Sequence, residues 1–441
     1  MPEDSPPSDR LDFAKTLWLI VGVALVVRLA WVALAAHEPA GLTDMSRYLA
    51  SARGIARGEG YVDFSTGQPT AYYPPGYPWF IGIVAVVSRP LGLYENHLPQ
   101  VIGVAQALLG AASVGFLGRL GRALWSPRVG LVAAAGLALY PNLVMHTSGV
   151  LSETLYIFLI LASLLVLLEV PFAQWNGGPA LARAAGFGLL FGMAALVRPI
   201  ALPALALVVA VWLRGRAWDR RVALRWSAAA VVACVGIMGV WTVRNLVRMD
   251  TLVVMSTNTG DNLCIGHTDQ ATGGFHLRPG CETEADVRDG TVGEVAHDRE
   301  LTRRAIRWSL DNPGSEPRLM ASRIYNLFHA DDDAVLVVQD YVRESRMSPL
   351  QEGIARSAAN VAYALIGLGG LAALALRRSW YHGARRRLFV ATMVVMAVVP
   401  LAFFGDPRFK VPLVPFFILF AATLIDPVPT EEVVADAEGG R

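Results

Sequence analysis

Residues 14–48 read AKTLWLIVGVALVVRLAWVALAAHEPAGLTDMSRY, an apolar run followed closely by the carboxylate of Asp44. A run of about 20 mainly apolar residues is long enough to cross a bilayer as a helix. The loop that follows is polar, aromatic and proline-rich, and it ends in Tyr72-Tyr73-Pro74-Pro75-Gly76-Tyr77-Pro78. Chemistry at a membrane surface needs such a pattern, in which a base lies at the bilayer edge beside a rigid wall.

The composition of the whole chain is that of a membrane protein. Of its 441 residues, 54% are hydrophobic and only 17% are charged, whereas soluble domains carry about a quarter charged residues. Clear apolar runs occur at about 14–36, 98–118, 128–143, 151–171, 224–244, 354–376, 388–404 and 409–425. The sequence therefore predicts an all-α polytopic membrane protein with about ten transmembrane helices.

Two further apolar stretches need separate interpretation. Residues 184–214 are interrupted by Arg198-Pro199 and Pro203, which predicts two short helices folded back at that point. Residues 79–93 are too short to cross the bilayer comfortably, so we expect a partial or interfacial helix there.

The distribution of arginine predicts the orientation. Three clusters stand out: Arg119/Arg122/Arg128, Arg214/Arg216/Arg220/Arg221/Arg225 and Arg377/Arg378/Arg385/Arg386/Arg387. The positive-inside rule assigns these loops to the cytoplasm, and the ten-span arrangement places all three on that side. The net charge of +2 gives no reason to expect a nucleic-acid partner.

This orientation divides the chain into five parts: a cytoplasmic leader (1–13), an N-terminal membrane module (14–247) with an outer catalytic loop (37–97), an outer segment (248–350), C-terminal membrane helices (351–425) and a disordered cytoplasmic tail (426–441). Apolar spacing within the outer segment predicts helix over about 291–329, and we expect this segment to be a small helical cap. Its Cys264 and Cys281 would face an oxidising compartment. The sequence leaves open whether these two cysteines form a disulfide or stay free. The run Asp331-Asp332-Asp333 is expected to be solvated.

Ionisable side chains at the outer ends of the apolar runs suggest a functional site. Two acids and four cations approach one face from separate parts of the chain: Asp44, Glu153, Arg198, Arg244, Arg408 and Lys410. Each has a simpler interpretation, because arginine and lysine at helix ends snorkel to headgroups and acids cap helix N-termini. Together they suit a carboxylate base beside cations that hold a phosphate.

A series of motifs resembles the polyprenyl-phosphate-sugar-dependent glycosyltransferases of the GT-C class. The bacterial branch with the lipid A aminoarabinose transferases and the protein O-mannosyltransferases is the most similar. The resemblance covers about 14–425 and rests on the order of these pieces: Asp44-x-x-Arg47-Tyr48, Pro74-Pro75-Gly76-Tyr77-Pro78, Ser152-Glu153-Thr154-Leu155, Leu196-Val197-Arg198-Pro199, Trp241-Thr242-Val243-Arg244-Asn245, Asn258-x-Gly260-x-Asn262-Leu263-x-x-Gly266 and Asp406-Pro407-Arg408-Phe409-Lys410-Val411-Pro412.

The resemblance implies an inverting transfer of a sugar from a polyprenyl-phosphate donor to a hydroxyl acceptor at the outer face of a bacterial cytoplasmic membrane. Asp44 matches the catalytic acidic position of the first loop, and Glu153 matches a second acidic position. Arg408, then Arg244, Arg198 and Lys410, are the candidates for binding the donor phosphate. Candidates for lining the substrate site are Arg47, Tyr48, Tyr73, Tyr77, Asn245 and His267.

The chain also departs from these relatives. Many carry Glu directly after the first-loop Asp, where this chain has Met45. The lipid A enzymes have a lysine where this chain has Tyr72-Tyr73-Pro74, which argues against an aminoarabinose activity. No cofactor or catalytic metal is predicted, although some members of the class need a divalent metal.

Two other functions stay open from the sequence. Intramembrane arginines and a broken helix also suit a transporter or a flippase for polyprenyl-linked sugars, although such proteins usually show internal repeats. A non-catalytic scaffold with the same fold is the second alternative, and hydrolysis of the lipid-linked sugar is a further reaction. The sugar, the acceptor, the lipid length and the oligomeric state are not determined by the sequence.

Overall fold

The computed structural model describes residues 7–41, 43–215, 218–276, 281, 290–339, 342, 347–377 and 383–426. The chain is helical over these ranges, and pairing of extended segments is limited to isolated bridges such as Gly274 with Gly405. The predicted disordered tail after Asp426 lies outside the described residues.

The N-terminal module contains ten helices in the described ranges: α1 (Pro7–Ala35), α2 (Asp44–Ala56), α3 (Gly76–Ser88), α4 (Tyr94–Leu124), α5 (Pro127–Leu139), α6 (Pro141–Met145), α7 (Glu153–Leu168), α8 (Gly177–Val197), α9 (Leu202–Arg214) and α10 (Arg220–Met249). The remaining helices form the outer segment and the C-terminal bundle: α11 (Thr259–Gly266), α12 (Gly290–Asp311), α13 (Glu316–Phe328), α14 (Asp333–Gln339), α15 (Pro349–Leu376), α16 (Ala384–Val398), α17 (Pro407–Lys410) and α18 (Val414–Ala422).

The described helices make this a multi-pass membrane protein. Six helical stretches are long and apolar enough to cross a membrane, and the bent pair α5–α6 brings the number to seven. Helices α3, α7 and the stretch Pro199–Arg214 are apolar but shorter than 18 residues. The first half of the interrupted stretch is longer than expected, because α8 extends back to Gly177 and reaches 21 residues.

The bend between α5 and α6 explains an arginine in the middle of the first span. The chain turns by 56° at this point, where Pro141 has no N–H to donate to the carbonyl of Leu137. Arg28 of α1 is buried and donates to the carbonyls of Leu137 (3.0 Å) and Ala138 (2.9 Å). The guanidinium therefore satisfies backbone acceptors that the bend leaves open, and Arg28 is a structural residue.

Close helix packing in the bundle depends on small residues. Gly188 and Gly192 lie one turn apart on α8 and face α10. A Cβ atom added at Gly188 would lie 2.0 Å from the carbonyl oxygen of Ala230. Glycine at this spacing lets the two backbones approach, as is common between membrane helices.

The two ends of the bundle have different chemistry. Arg385 donates to the carbonyl of Leu168 at the end of α7 (2.8 Å), and Arg386 donates to the carbonyl of Leu124 at the end of α4 (2.6 Å). Cations in these positions are favourable at helix C-termini. Glu153 begins α7, whose 16 residues give a length of about 24 Å. The arginine-rich end and the end that carries Glu153 are therefore on opposite sides of the bundle.

The outer segment packs over the Glu153 end as a helical cap. The predicted helix over about 291–329 is two helices, because Pro313 and Gly314 separate α12 from α13. A disulfide joins Cys264 of α11 to Cys281. Arg323 of α13 is 1% exposed and donates to the carbonyls of Gly266 (2.9 Å) and Leu401 (3.2 Å), which ties the cap to the C-terminal bundle.

Candidate active site

The first carboxylate of the site begins helix α2. Asp44 follows the N-cap residue Thr43, and the positive end of the helix dipole favours an acid there. Its Oδ1 accepts a hydrogen bond from the Tyr73 hydroxyl (2.8 Å), and its Oδ2 accepts one from Nη1 of Arg408 (2.9 Å). The Asp44 side chain is still 36% exposed, so a ligand can reach it.

The second carboxylate begins helix α7 and is buried. Glu153 is 1% exposed, and its Oε1 accepts from Nη2 of Arg198 (2.6 Å) and from Nε of Arg408 (3.0 Å). Nε of Arg198 also donates to the Ser152 hydroxyl (2.9 Å). Asp44, Arg408, Glu153 and Arg198 thus form one chain of alternating charge, which we call the charge quartet.

Local breaks in the helices place the two arginines. Pro199 ends α8, and Arg198 has an extended backbone with φ −149°, so its side chain leaves the helix axis. Asp406 caps α17 by accepting from the backbone N–H of Arg408 (2.8 Å), and Pro407 occupies the first helical position. Prolines beside each arginine therefore bring residues from distant parts of the chain to the same point.

The environment of Asp44 keeps it ionised. Burial alone would raise its pKa, but the charge of Arg408 and the hydrogen bonds from Tyr73 and Arg408 outweigh that effect and lower the pKa below its ordinary value. Asp44 is consequently a carboxylate at neutral pH, with both oxygens engaged in the resting site.

Lys410 lies outside the charge quartet. It is fully buried, and its Nζ lies 2.7 Å from Oδ1 of Asp331 and also donates to the carbonyl of Ala330. The expectation that the aspartate run 331–333 is solvated is wrong, because Asp331 and Asp333 are both buried. The placement of Lys410 suits an ion pair between the C-terminal bundle and the cap, and phosphate binding does not follow from it.

Asp333 forms a second buried contact that the sequence did not predict. Its carboxylate lies 2.8 Å from Nε2 of His146 and accepts from Nδ2 of Asn142 (2.9 Å). His146 is 1% exposed and lies in a segment with little polar pattern, so no sequence signal marked it. Together with Lys410 and Asp331, this pair fixes the loop before α14 on the membrane helices.

Arg244 and Asn245 hold the outer loop rather than reaching the quartet. Nη1 of Arg244 donates to the carbonyl of Thr70 (2.8 Å), and its Nη2 donates to the carbonyl of Tyr61. Asn245 is buried and donates to the carbonyl of Val253 (3.0 Å). Arg244 therefore anchors residues 61–70, and Asn245 holds the chain at Val253.

The candidate substrate-lining residues fall into two groups. Tyr73 contacts Asp44 directly, and the Tyr48 ring packs 5.0 Å from the rings of both Tyr73 and Tyr77. Tyr77 is buried and its hydroxyl donates to Gln106 (3.0 Å), so Tyr77 supports the site by packing under the Tyr48 ring. His267 lies in the cap, where its Nε2 is 3.0 Å from Nη2 of Arg323, and none of its contacts in the described ranges reaches the quartet.

A carboxylate of the cap fastens the loop that carries Tyr73. Glu294 accepts hydrogen bonds from the Thr70 hydroxyl (2.6 Å), the backbone N–H of Ala71 (2.9 Å) and the Thr257 hydroxyl (2.5 Å). No local sequence pattern singles out Glu294, because its partners are distant in the chain. It is a positioning residue for Tyr73, and through Tyr73 for Asp44.

We therefore expect Glu294→Gln to slow turnover without removing the fold. A neutral amide has one acceptor oxygen in place of the two that Glu294 uses, so the loop that holds Tyr73 loses part of its support. A fall of about tenfold in kcat corresponds to about 1.4 kcal/mol. Steady-state kinetics would check this, with Glu300→Gln on the exposed face of α12 as the control. Equal kinetics of both variants would contradict the positioning role.

No metal-binding group is evident in the part of the chain that the structure describes. There, no three His, Cys, Asp or Glu side chains are arranged to hold an ion. The charge quartet itself places a reachable carboxylate beside guanidinium groups.

Comparison with solved structures finds this fold in the oligosaccharyltransferase of Archaeoglobus fulgidus. Its apo form gives a TM-score of 0.54 at 11% identity, over 96% of this chain and 52% of the archaeal one. The archaeal enzyme in complex with an inhibitory peptide and a dolichol-phosphate gives 0.50 at 12% identity over the same shares. This chain therefore spans about half the length of the archaeal protein.

A second similarity is to ArnT from Cupriavidus metallidurans in the apo state, with a TM-score of 0.40 at 19% identity, over 92% of this chain and 78% of that one. No protein-family model matches the chain, and no curated protein matches it in sequence. The similarity to the archaeal structure therefore lies in the arrangement of the helices. By that arrangement this chain has the fold of the GT-C glycosyltransferases, the class that its motifs resemble.

Proposed function

We propose that this protein is an inverting glycosyltransferase that moves a hexosyl or pentosyl group from a polyprenyl-phosphate donor to a hydroxyl group. The acceptor is a glycan, a glycolipid or a protein. The observation that carries the proposal is the charge quartet, in which a reachable carboxylate, Asp44, lies beside a guanidinium at one end of a membrane-helix bundle. The dolichol-phosphate in the archaeal structure of the same fold supports a lipid-phosphate ligand for this fold.

The proposed reaction uses a base and electrostatic stabilisation of the leaving group. Asp44 takes the proton of the acceptor hydroxyl, and the acceptor oxygen attacks the anomeric carbon. The bond from that carbon to the phosphate oxygen breaks, and polyprenyl phosphate leaves with the electron pair. Arg408, supported by Arg198, stabilises the negative charge on the leaving oxygen. A single displacement inverts the configuration at the anomeric carbon.

Release of free polyprenyl phosphate tests this function directly. Purified protein in lipid is incubated with a panel of polyprenyl-phosphate sugars and a cell-envelope extract as the source of acceptor. Wild-type protein should release the lipid phosphate with one sugar of the panel and form a glycosylated product. If no sugar of the panel led to release of polyprenyl phosphate in the presence of extract, the proposal would be contradicted. Movement of the lipid-linked sugar across the bilayer without release would support a flippase instead.

We further propose that the quartet faces outward from the cytoplasmic membrane of a bacterium. The arginine-rich end of the bundle satisfies the positive-inside rule when it lies in the cytoplasm, and the quartet is at the other end. Cysteine labelling with an impermeant reagent on intact cells tests the orientation. Gln270→Cys in the cap should be labelled and Arg220→Cys should not, while labelling of both after permeabilisation is the control. The reverse pattern would overturn the orientation.

A further inference from the structure

The charge quartet has no spare positive charge. It contains two carboxylates, Asp44 and Glu153, and two guanidiniums, Arg198 and Arg408, which pair with one another. A phosphodiester that enters this site brings one more negative charge into a partly buried place. An unpaired charge of this kind is costly unless another cation meets it.

Arg47 is a cation beside the quartet, and no carboxylate of the described residues neutralises its charge. It lies three residues after Asp44 on α2, so the two Cβ atoms are about 5–6 Å apart. The Arg47 guanidinium nevertheless avoids Asp44 and lies over the rings of Tyr72 (5.6 Å) and Phe64 (5.7 Å). Aromatic faces hold a guanidinium without neutralising it.

The other arginines in α2 and directly after it show the contrast. Arg53 pairs with Glu38 at 2.8 Å, and Arg57 pairs with Glu59 at 2.9 Å. Among the residues that the structure describes, Arg47 has no carboxylate within ion-pair distance. Of these three arginines, Arg53 and Arg57 have acid partners, whereas Arg47 lies over a pair of rings.

One of the two rings under Arg47, that of Tyr72, is itself fixed. The hydroxyl of Tyr72 donates to Oδ2 of Asp261 (2.8 Å), which belongs to the cap. The following residue, Tyr73, donates to Asp44. Arg47 is therefore held next to the reacting carboxylate by rings, and no other described residue occupies its N–H fork.

We propose that Arg47 binds the phosphate of the polyprenyl-phosphate donor. This inference rests on the proposed transferase function. It adds a phosphate-binding residue that does not belong to the quartet. The planar guanidinium fork matches two phosphate oxygens. Arg47 then supplies the missing positive charge, while Arg408 keeps its contacts with Asp44 and Glu153.

Binding of polyprenyl phosphate alone tests the assignment without any need for turnover. Arg47→Gln in lipid nanodiscs should weaken the affinity for polyprenyl phosphate by about ten- to hundredfold, as expected for one charge-assisted contact. Arg47→Lys should recover part of that loss. Arg57→Gln, at the residue that follows the same helix, is the matched control and should bind like wild type. The uncharged polyprenol of the same length should bind equally to all four proteins.

Steady-state kinetics adds an independent reading. The KM for the donor should rise in Arg47→Gln, while kcat and the KM for the acceptor stay within a few fold of wild type. Unchanged affinity for polyprenyl phosphate, or a rise confined to the acceptor KM, would overturn the role of Arg47. The two proposals fail differently, because a wild-type protein that neither binds polyprenyl phosphate nor transfers sugar would refute the transferase function itself.

Discussion

Asp44→Asn should reduce the rate of sugar transfer by about 10²–10⁴-fold, the usual contribution of a general base. The amide keeps the size of the side chain and still accepts a hydrogen bond from Tyr73 or Arg408, but it cannot take a proton from the acceptor. Donor binding should therefore stay close to wild type while kcat falls. Release of polyprenyl phosphate in single-turnover experiments measures the chemical step separately from binding.

Glu59→Gln is the matched control for this variant. Glu59 belongs to the same outer loop, and its carboxylate pairs with Arg57 at the surface, so its loss should leave the rate unchanged. Asp44→Asn with wild-type turnover would remove Asp44 from the mechanism. Loss of polyprenyl-phosphate binding together with turnover would instead indicate that the variant disturbs the charge quartet as a whole.

The pKa of Asp44 adds a pH signature to the same prediction. Arg408 and Tyr73 lower this pKa in the folded protein. The ionised form of Asp44, which stabilises the fold, is therefore fully present at any pH above the ordinary carboxyl pKa of about 4. It is lost only as the pH falls through the lower, folded value. The kcat/KM profile of wild type should thus show no Asp44 titration between neutral pH and about 5, and a base titrating near neutrality would contradict the assignment.

Arg408→Ala should abolish transfer and also lower stability. Arg408 bridges two carboxylates from separate helices, with contacts of 2.9 Å to Asp44 and 3.0 Å to Glu153. Its removal leaves Glu153 with Arg198 and leaves Asp44 with Tyr73, so neither acid is fully orphaned. We expect a loss of about 1–3 kcal/mol in the free energy of unfolding, together with the loss of leaving-group stabilisation.

Thermal unfolding and transfer assays on the same preparations separate these two effects. Arg408→Lys keeps the charge but cannot bridge both carboxylates with a planar fork, so it should recover stability more than rate. Arg119→Ala removes an exposed pair with Glu169 at the opposite end of the bundle, and it should affect neither property by much. A stable, active Arg408→Ala protein would show that Arg408 has neither role.

Much of the architecture follows from the sequence alone. Apolar runs interrupted by proline predicted helices and their breaks, because a membrane helix must satisfy its own backbone and proline prevents this. The acids and arginines at helix ends predicted where charge would collect, and Asp44, Glu153, Arg198 and Arg408 did meet there. Each of these signals is local, since one span and its flanking charges determine it.

The tertiary structure alone decided which charges pair. Lys410 lies only two residues after Arg408, yet it turns away from the quartet to Asp331, whose burial no local pattern indicated. Arg244 binds backbone carbonyls, and Glu294 fastens the outer loop from more than 220 residues away. Such contacts depend on how distant segments pack, and a buried charge takes whichever partner that packing offers. The sequence therefore determined the helical membrane architecture and the end of the bundle where the candidate site lies, and only the packing of the cap and the loops decided which residues form that site.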